Sequence, residues 1–247
     1  MLGGTGEAKQ IARHLMRFGT EVIYSIAGLV RVPDLDCEIR TGGFSSRDAD
    51  GGEGLERYLV TNDISLLINS THPYAATMSS NAVSASLRTG IPCWRYLRPE
   101  WQLDPRATLY HFQNTEELLE QLSDQKRPFF TIGQGILNYK AQRPKDQHWI
   151  VRSALPSEKT AGITLIESIG PFSYEQDKHL MQKQKVDALI SKNSGGEAVA
   201  GKLRAAIELE IPIYLMKRPE ASPIPDRIFN SVESTCDAIS EWIEISG

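Results

Sequence analysis

The chain has only three cysteines among its 247 residues, Cys37, Cys93 and Cys236, and no two of them stand in a C-x-x-C spacing. This excludes a disulfide framework and leaves no zinc-type ligand set, so no metal site is expected and a cytoplasmic location is the default. Long apolar runs are missing as well. Nothing approaches the roughly 18 apolar residues of a membrane span, and the amino-terminal stretch has no charged segment followed by an apolar one. An excess of one charge is also lacking. With 27 basic and 31 acidic residues the formal net charge is -4 and the pI about 5.8. The whole molecule therefore has no pull toward nucleic acid or anionic membrane, and any anion site must be local.

What is present is an internal echo. Ile91-Pro-Cys-Trp-Arg-Tyr-Leu-Arg-Pro-Glu100 returns as Ile211-Pro-Ile-Tyr-Leu-Met-Lys-Arg-Pro-Glu220, 120 positions later (211 − 91), with five of the ten positions identical. Each copy follows an apolar strand (Leu66-Leu-Ile, then Ala188-Leu-Ile), a polar turn and a helix of about four turns, which predicts two similar lobes. Elsewhere apolar strands such as Val22–Ile26, Pro128–Ile132 and Trp149–Val151 alternate with amphipathic helices. The expected fold is α/β, two Rossmann-like lobes with mainly parallel sheets and a cleft between them, divided as 1–104 and 105–247. Prolines and mixed polarity over 99–108 mark the crossing. The stripe Val232, Cys236, Ile239, Trp242, Ile243 predicts a C-terminal helix packed on the second lobe.

Five places can carry chemistry. Gly3-Gly-Thr-Gly-Glu7 leads into an apolar-periodic helix, an arrangement that offers backbone N–H groups and the positive helix end to a phosphate. A plain strand-to-helix turn is the other reading, because Lys9 stands where a third glycine of the dinucleotide fingerprint would be. Only Met1 and Leu2 precede this loop. The strand that should deliver it is thus almost missing, and an upstream in-frame extension of a few apolar residues is expected to exist or to stabilise the protein. The next strand ends Tyr24-Ser-Ile-Ala-Gly28, with Arg31 close behind and no acid in reach, which favours NADPH over NADH, though NADH is possible. An ordinary surface arginine is the competing explanation.

The third place is Asn69-Ser-Thr-His-Pro-Tyr-Ala75 at the carboxyl end of a strand, where Thr71 and His72 can donate to a ligand and His72 can pass a proton. A loop histidine is more often a structural hydrogen-bonding group. Its counterpart is Lys192-Asn-Ser-Gly-Gly196, a receptor for carboxylate or phosphate in which Asn193 or Ser194 can also simply cap a helix. Arg98 and Arg218, each before a proline, can clamp carboxylates or stand as exposed strand-closing arginines.

Taken in order, Gly3-Gly-Thr-Gly-Glu-Ala8, Ser25-Ile-Ala-Gly28, Arg40-Thr-Gly-Gly-Phe44, Thr71-His-Pro-Tyr-Ala75, Arg98-Pro99, Gly170-Pro-Phe172, Lys192-Asn-Ser-Gly195 and Arg218-Pro219 resemble the precorrin-6A reductase family of cobalamin biosynthesis, including its cobalt-precorrin branch. The likeness spans nearly the whole chain. Departures are Asn69 for the family's Asp, Leu29 for a basic residue and Ile169 for Arg, with Arg31 the nearest substitute for the cation absent at 29. The resemblance implies hydride transfer from a reduced nicotinamide cofactor to a ring double bond of precorrin-6A, or its cobalt form, giving the 6B form. It implies cofactor contacts from Gly3, Gly4, Thr5, Gly6, Glu7, Ser25, Ala27, Gly28, Arg31, Gly43, Thr71 and His72. The tetrapyrrole's carboxylates would meet Tyr74, Arg98, Lys192, Asn193, Ser194, Gly195 and Arg218, while His72, Tyr74, Lys192 or water would supply the proton. Contact with neighbouring enzymes of the pathway is a further expectation.

Two rivals remain at this level. One is a two-lobed nucleotide or tetrapyrrole binding protein without catalysis. The other is an oxidoreductase of the short-chain dehydrogenase kind, from the Y-x-x-x-K spacing in Tyr174-Glu-Gln-Asp-Lys178.

Overall fold

Parallel strands alternate with helices throughout the computed structural model, which describes residues 1–28, 33–45, 49–156, 158–196, 200–220 and 223–246. The chain divides into two units, Met1–Pro99 with Pro219–Gly247, and Glu100–Arg218.

In the first unit Thr5 caps α1 (Gly6–Arg17), its side chain accepting from the Ala8 N–H. Strands β1 (Ile23–Ile26) and β2 (Glu38–Thr41) pair in parallel. A second ladder joins β3 (Leu67–Asn69), β4 (Cys93–Tyr96) and β11 (Arg227–Phe229), again in parallel. Leu2 links the two ladders. It forms parallel bridges to Ser25 and to Asn69, its N–H donating to Ile68 O at 2.8 Å and its carbonyl accepting from Ser70 N at 2.9 Å. A single residue thus takes the place of the unit's first strand. With Leu2 counted as that strand, the spatial order is the 3-2-1-4-5-6 of dinucleotide-binding folds, and the strand order reverses beside Leu2. Helices α2 (Gly51–Thr61) and α3 (Ala76–Thr89) pack on each other.

Among the described residues the second unit carries six strands: β5 (Leu109–Phe112), β6 (Pro128–Phe130), β7 (Trp149–Ser153), β8 (Ile163–Glu167), β9 (Ala188–Lys192) and β10 (Ile213–Met216). All are parallel, in the order β5-β10-β9-β6-β7-β8. Counted from β6, the order is once more 3-2-1-4-5-6. Helices α4 (Thr115–Gln121), α5 (Tyr174–Gln184) and α6 (Gly201–Glu208) and a 3-10 helix at Gln134–Gln142 fill the connections. Strands β6 and most of β9 are buried along their length, as their uninterrupted apolar character requires.

The echo strands β4 and β10 hold the same fifth position in the two sheets, and each copy ends where the chain leaves its unit. Strand β5, the next after copy one, pairs with β10; strand β11, the next after copy two, pairs with β4. The division therefore differs from 1–104 and 105–247: the first crossing falls after Pro99, and the chain returns after Arg218. The C-terminal helix α7 (Val232–Ser246) belongs to the first unit, not the second, because β11 delivers it there. Its Cys236 and Ile239 share a buried cluster with Ile11, Leu15 and Tyr24. Burying such a side chain contributes roughly 1.5–3 kcal/mol, so α7 completes the layer covering α1 and β1. The second copy's helix is also shorter than expected, with eight residues in α6 against 14 in α3.

Candidate functional site

In the first unit the glycine loop lies where the strand order reverses. Gly3 N–H donates to Ser25 O at 2.8 Å, and Gly4, at φ +110°, donates to the buried Tyr24 hydroxyl at 3.0 Å. Thr5 Oγ1 donates to Ser70 O at 3.2 Å, fastening the loop to the end of β3. Among the described residues no protein acceptor meets the N–H groups of Gly6 and Glu7, which open α1. Two donors and the positive helix end are thus presented together, the arrangement that receives a diphosphate. The Glu7 carboxylate would oppose an anion there, but Arg98 pairs with it at 3.0 Å and offsets its charge. Arg98 is accordingly placed at the glycine loop.

The far side of this site is built on β1 and β2. Ser25 stands opposite Arg40 in register, and the Arg40 guanidinium donates to Gly42 O and Gly43 O, both at 2.8 Å, while lying 3.7 Å from the centre of the Phe44 ring. Arg40 therefore holds the turn containing Gly43. Ala27 and Gly28 are exposed at the end of β1. Arg31, on which the NADPH preference rests, lies outside the described residues.

Past β3, Asn69 Oδ1 accepts from the Thr71 N–H at 3.2 Å and from the Thr71 hydroxyl at 2.8 Å, and Asn69 Nδ2 donates to Ser79 Oγ at 3.1 Å. The acceptor that an aspartate would supply is retained. Tyr74 N–H donates to His72 Nδ1 at 3.3 Å, so the neutral ring carries its proton on Nε2. The His72 and Tyr74 rings lie 5.7 Å apart.

In the second unit the turn after β6 has Gly133 at φ +94° but leads into a 3-10 helix without a side-chain cap, a poorer diphosphate receptor than α1. The chemistry here gathers instead at the end of β9. Asn193 Oδ1 accepts from Trp101 N–H at 3.2 Å, Asn193 Nδ2 donates to Glu100 at 3.0 Å, and Arg218 Nε donates to Asn193 O at 2.7 Å. Trp101 Nε1 donates to Gly196 O at 3.0 Å. Asn193 and Arg218 thus brace the loop that carries Lys192 and the buried Ser194. Gly195 and Gly196 take φ +67° and +81° in the same turn. Burial lowers the Lys192 pKa from its ordinary value.

Sequence reasoning gave no individual role to Tyr24, Arg40, Arg152, Asp177 or Lys202. Arg152 and Asp177 form a buried ion pair at 2.6 Å, with side chains 9% and 3% exposed. The missed signal at Lys202 is its position in the first turn of α6, where a cation opposes the helix dipole. The dehydrogenase-like pair is not assembled: Lys178 is bound to Glu208 at 2.6 Å on the α5–α6 face, 5.6 Å from the Tyr174 ring centre.

This arrangement agrees with what the chain is similar to. The family model described as Precorrin-6x reductase CbiJ/CobK matches residues 1–243. A precorrin-6A reductase of Rhodococcus erythropolis is 34% identical over 250 residues, covering 98% of this chain and 96% of the relative. A cobalt-precorrin-6A reductase of Methanothermobacter thermautotrophicus is 27% identical over 261 residues, covering 100% of this chain and 85% of the relative. A solved structure of CobK precorrin-6A reductase superposes with a TM-score of 0.85 at 30% identity, covering 97% of this chain and 95% of the other. On these matches and the doubled 3-2-1-4-5-6 fold, the chain belongs to the precorrin-6x reductase family, oxidoreductases of cobalamin biosynthesis.

Proposed function

We propose that this chain reduces a ring double bond of precorrin-6A, or of its cobalt form, to the 6B form at the expense of NADPH, with NADH a poorer donor. The observation that carries the cofactor part is the glycine loop at the strand-order reversal, with the N–H groups of Gly6 and Glu7 open at the start of α1. The residues fit a dinucleotide: Gly4 takes a conformation that side chains rarely adopt, with open space where a Cβ would be, so backbone and ligand can approach closely. When bound, a reduced nicotinamide supplies the hydride, which with one proton converts a C=C bond to CH–CH.

The chain's own residues bind and orient. Gly3, Gly4, Thr5 and Gly6 receive the diphosphate, Ser25 and Gly43 flank the adenosine side, and Arg31 supplies the positive charge that distinguishes a 2'-phosphate from a hydroxyl. Thr71, its hydroxyl donating to Asn69, and His72, its Nδ1 accepting the Tyr74 N–H, line the end of β3 on the nicotinamide side. Lys192 and Ser194 take carboxylates of the tetrapyrrole, and Lys192, its pKa lowered by burial, is suited to releasing a proton. Holding the reacting carbons at near-attack distance then contributes much of the rate. Unpaired thiols at Cys37, Cys93 and Cys236 support a cytoplasmic setting, and no helix among the described residues is long and apolar enough to cross a membrane.

The test is anaerobic mixing of the protein with NADPH and precorrin-6A while following the reduced-nicotinamide absorbance and the macrocycle spectrum. Both are expected to change together. Tight macrocycle binding without cofactor oxidation would establish a binding protein instead. For the cofactor preference, Arg31→Ala is expected to raise the KM for NADPH about tenfold or more, the scale of a lost charge-assisted contact, and to leave that for NADH nearly unchanged. Equal effects on both cofactors would remove Arg31 as the reader of the 2'-phosphate.

A further inference from the structure

Arg152 and Lys202 lie near Lys192 in the second unit and have no part in the reading above. The Arg152 guanidinium lies 3.9 Å from the Phe172 ring centre and 4.9 Å from that of Phe129, with Nη2 donating to Asp177 at 2.6 Å. Its Nε is buried and has no acceptor among the described residues. Lys202 interacts electrostatically with Asp177, Arg152 and Lys192, and its ammonium stands 5.8 Å from the Trp101 ring centre. No hydrogen-bond acceptor meets it among the described residues. Burial lowers its pKa to about 8.

Two cations here face one carboxylate. Asp177 already neutralises Arg152, so Lys202 is a surplus charge, placed moreover at the positive end of α6. The other charges on the packed helices do not compensate it: Lys178 and Glu208 bind each other at 2.6 Å, and Arg204 lies 5.4 Å from the Tyr174 ring centre. A partly buried cation whose nearest carboxylate is already bound to an arginine is poorly compensated. Such an arrangement is relieved by an anion.

We propose that Arg152 and Lys202, beside Lys192, form a subsite that receives one carboxylate side chain of the substrate macrocycle, with Lys202 as its titrating member. This rests on the reductase reading above. The anion favours the charged lysine, so binding is accompanied by proton uptake. Free Lys202 loses its proton above about pH 8, while the substrate carboxylates stay ionised throughout that range. Affinity is therefore steady below pH 8 and falls above it, by at most about tenfold per pH unit, until it reaches that of the protein with an uncharged Lys202.

The experiment measures precorrin-6A affinity without cofactor, anaerobically, from pH 7 to 10, for the full chain and for Lys202→Met and Lys202→Arg, together with melting temperatures. Lys202→Met is expected to weaken binding at pH 7 about tenfold or more, as loss of a charged hydrogen bond does, to flatten the pH profile above pH 8, and to melt higher than the parent without ligand. Lys202→Arg restores much of the affinity and moves the fall to higher pH. Unchanged affinity and pH profile in Lys202→Met, or a lower melting temperature with normal affinity, would overturn the subsite and assign Lys202 to the fold. Failure of the parent protein to oxidise NADPH would remove the reductase reading alone, because the affinity measurement needs no turnover.

Discussion

At Gly3 the absence of a side chain is a steric requirement. A Cβ there would come within 2.1 Å of Tyr24 Cζ and 2.4 Å of its hydroxyl oxygen. Tyr24 is 1% exposed and cannot swing into solvent. Its hydroxyl accepts the Gly4 N–H, so the phenol supports the glycine loop from below. Gly3→Ala is accordingly expected to cost about 1–3 kcal/mol of stability, as overpacking does, and to weaken NADPH binding severalfold. Tyr24→Phe keeps the packing and loses about 1 kcal/mol with the hydrogen bond. Urea midpoints and NADPH titration check both; a Gly3→Ala protein with parental midpoint and affinity would show that the loop does not depend on this contact. The glycines were legible because few residue types serve at such turns. Tyr24 was not, since a phenol within an apolar strand reads as core filling until its hydroxyl is seen beneath a loop. Lys202 was hidden likewise, because a lysine on a helix is ordinarily solvated.

Individual elements were largely legible where apolar character carried them: β1, β3, β6 and β9 lie within a few residues of the expected spans, and Leu2 stands where the first strand is almost missing. The destination of α7 was not legible. Its apolar stripe predicts a helix with one buried face, and nothing in the stripe says which sheet that face meets. The three-residue strand β11 decides this, and Arg227-Ile-Phe229 is too short, and too exposed at Arg227 and Ile228, to announce itself as a sheet strand. Ile239 supplies the test, being 1% exposed within the cluster that holds Ile11, Leu15 and Tyr24. Ile239→Ala is expected to cost about 2–5 kcal/mol, the range for large-to-small core changes. In hydrogen exchange the amides of α1 and β1 should lose protection while those of β6, β7 and β9 keep theirs. Loss confined to the second unit would reverse the assignment of α7.

For the molecule as a whole, the echo was legible as a repeat but not as a pair of exits. Consecutive strands usually neighbour each other in space. Here β5 follows β4 in the chain yet pairs with β10, and β11 follows β10 yet pairs with β4, so pairing and chain order part at both copies of the echo. One consequence concerns independent folding. Glu100–Arg218 is continuous in sequence and contains all six strands of its sheet. Its two ends are tied within the unit, since Glu100 and Trp101 bond to Asn193, and Arg218 donates to Asn193 O. The first unit is discontinuous, and residues 1–99 alone lack β11 and the α7 residues that cover α1. A fragment of residues 100–218 is therefore expected to unfold cooperatively on heating and to show blue-shifted emission from Trp149, which is fully buried. A fragment of residues 1–99 is expected to gain such a transition only when residues 219–247 are supplied, fused or in trans. The decisive measurement is circular dichroism and tryptophan fluorescence of the two fragments across a thermal ramp. A disordered 100–218 fragment beside a folded 1–99 fragment would show that fold stability does not follow the division of the chain at its two Arg-Pro-Glu copies.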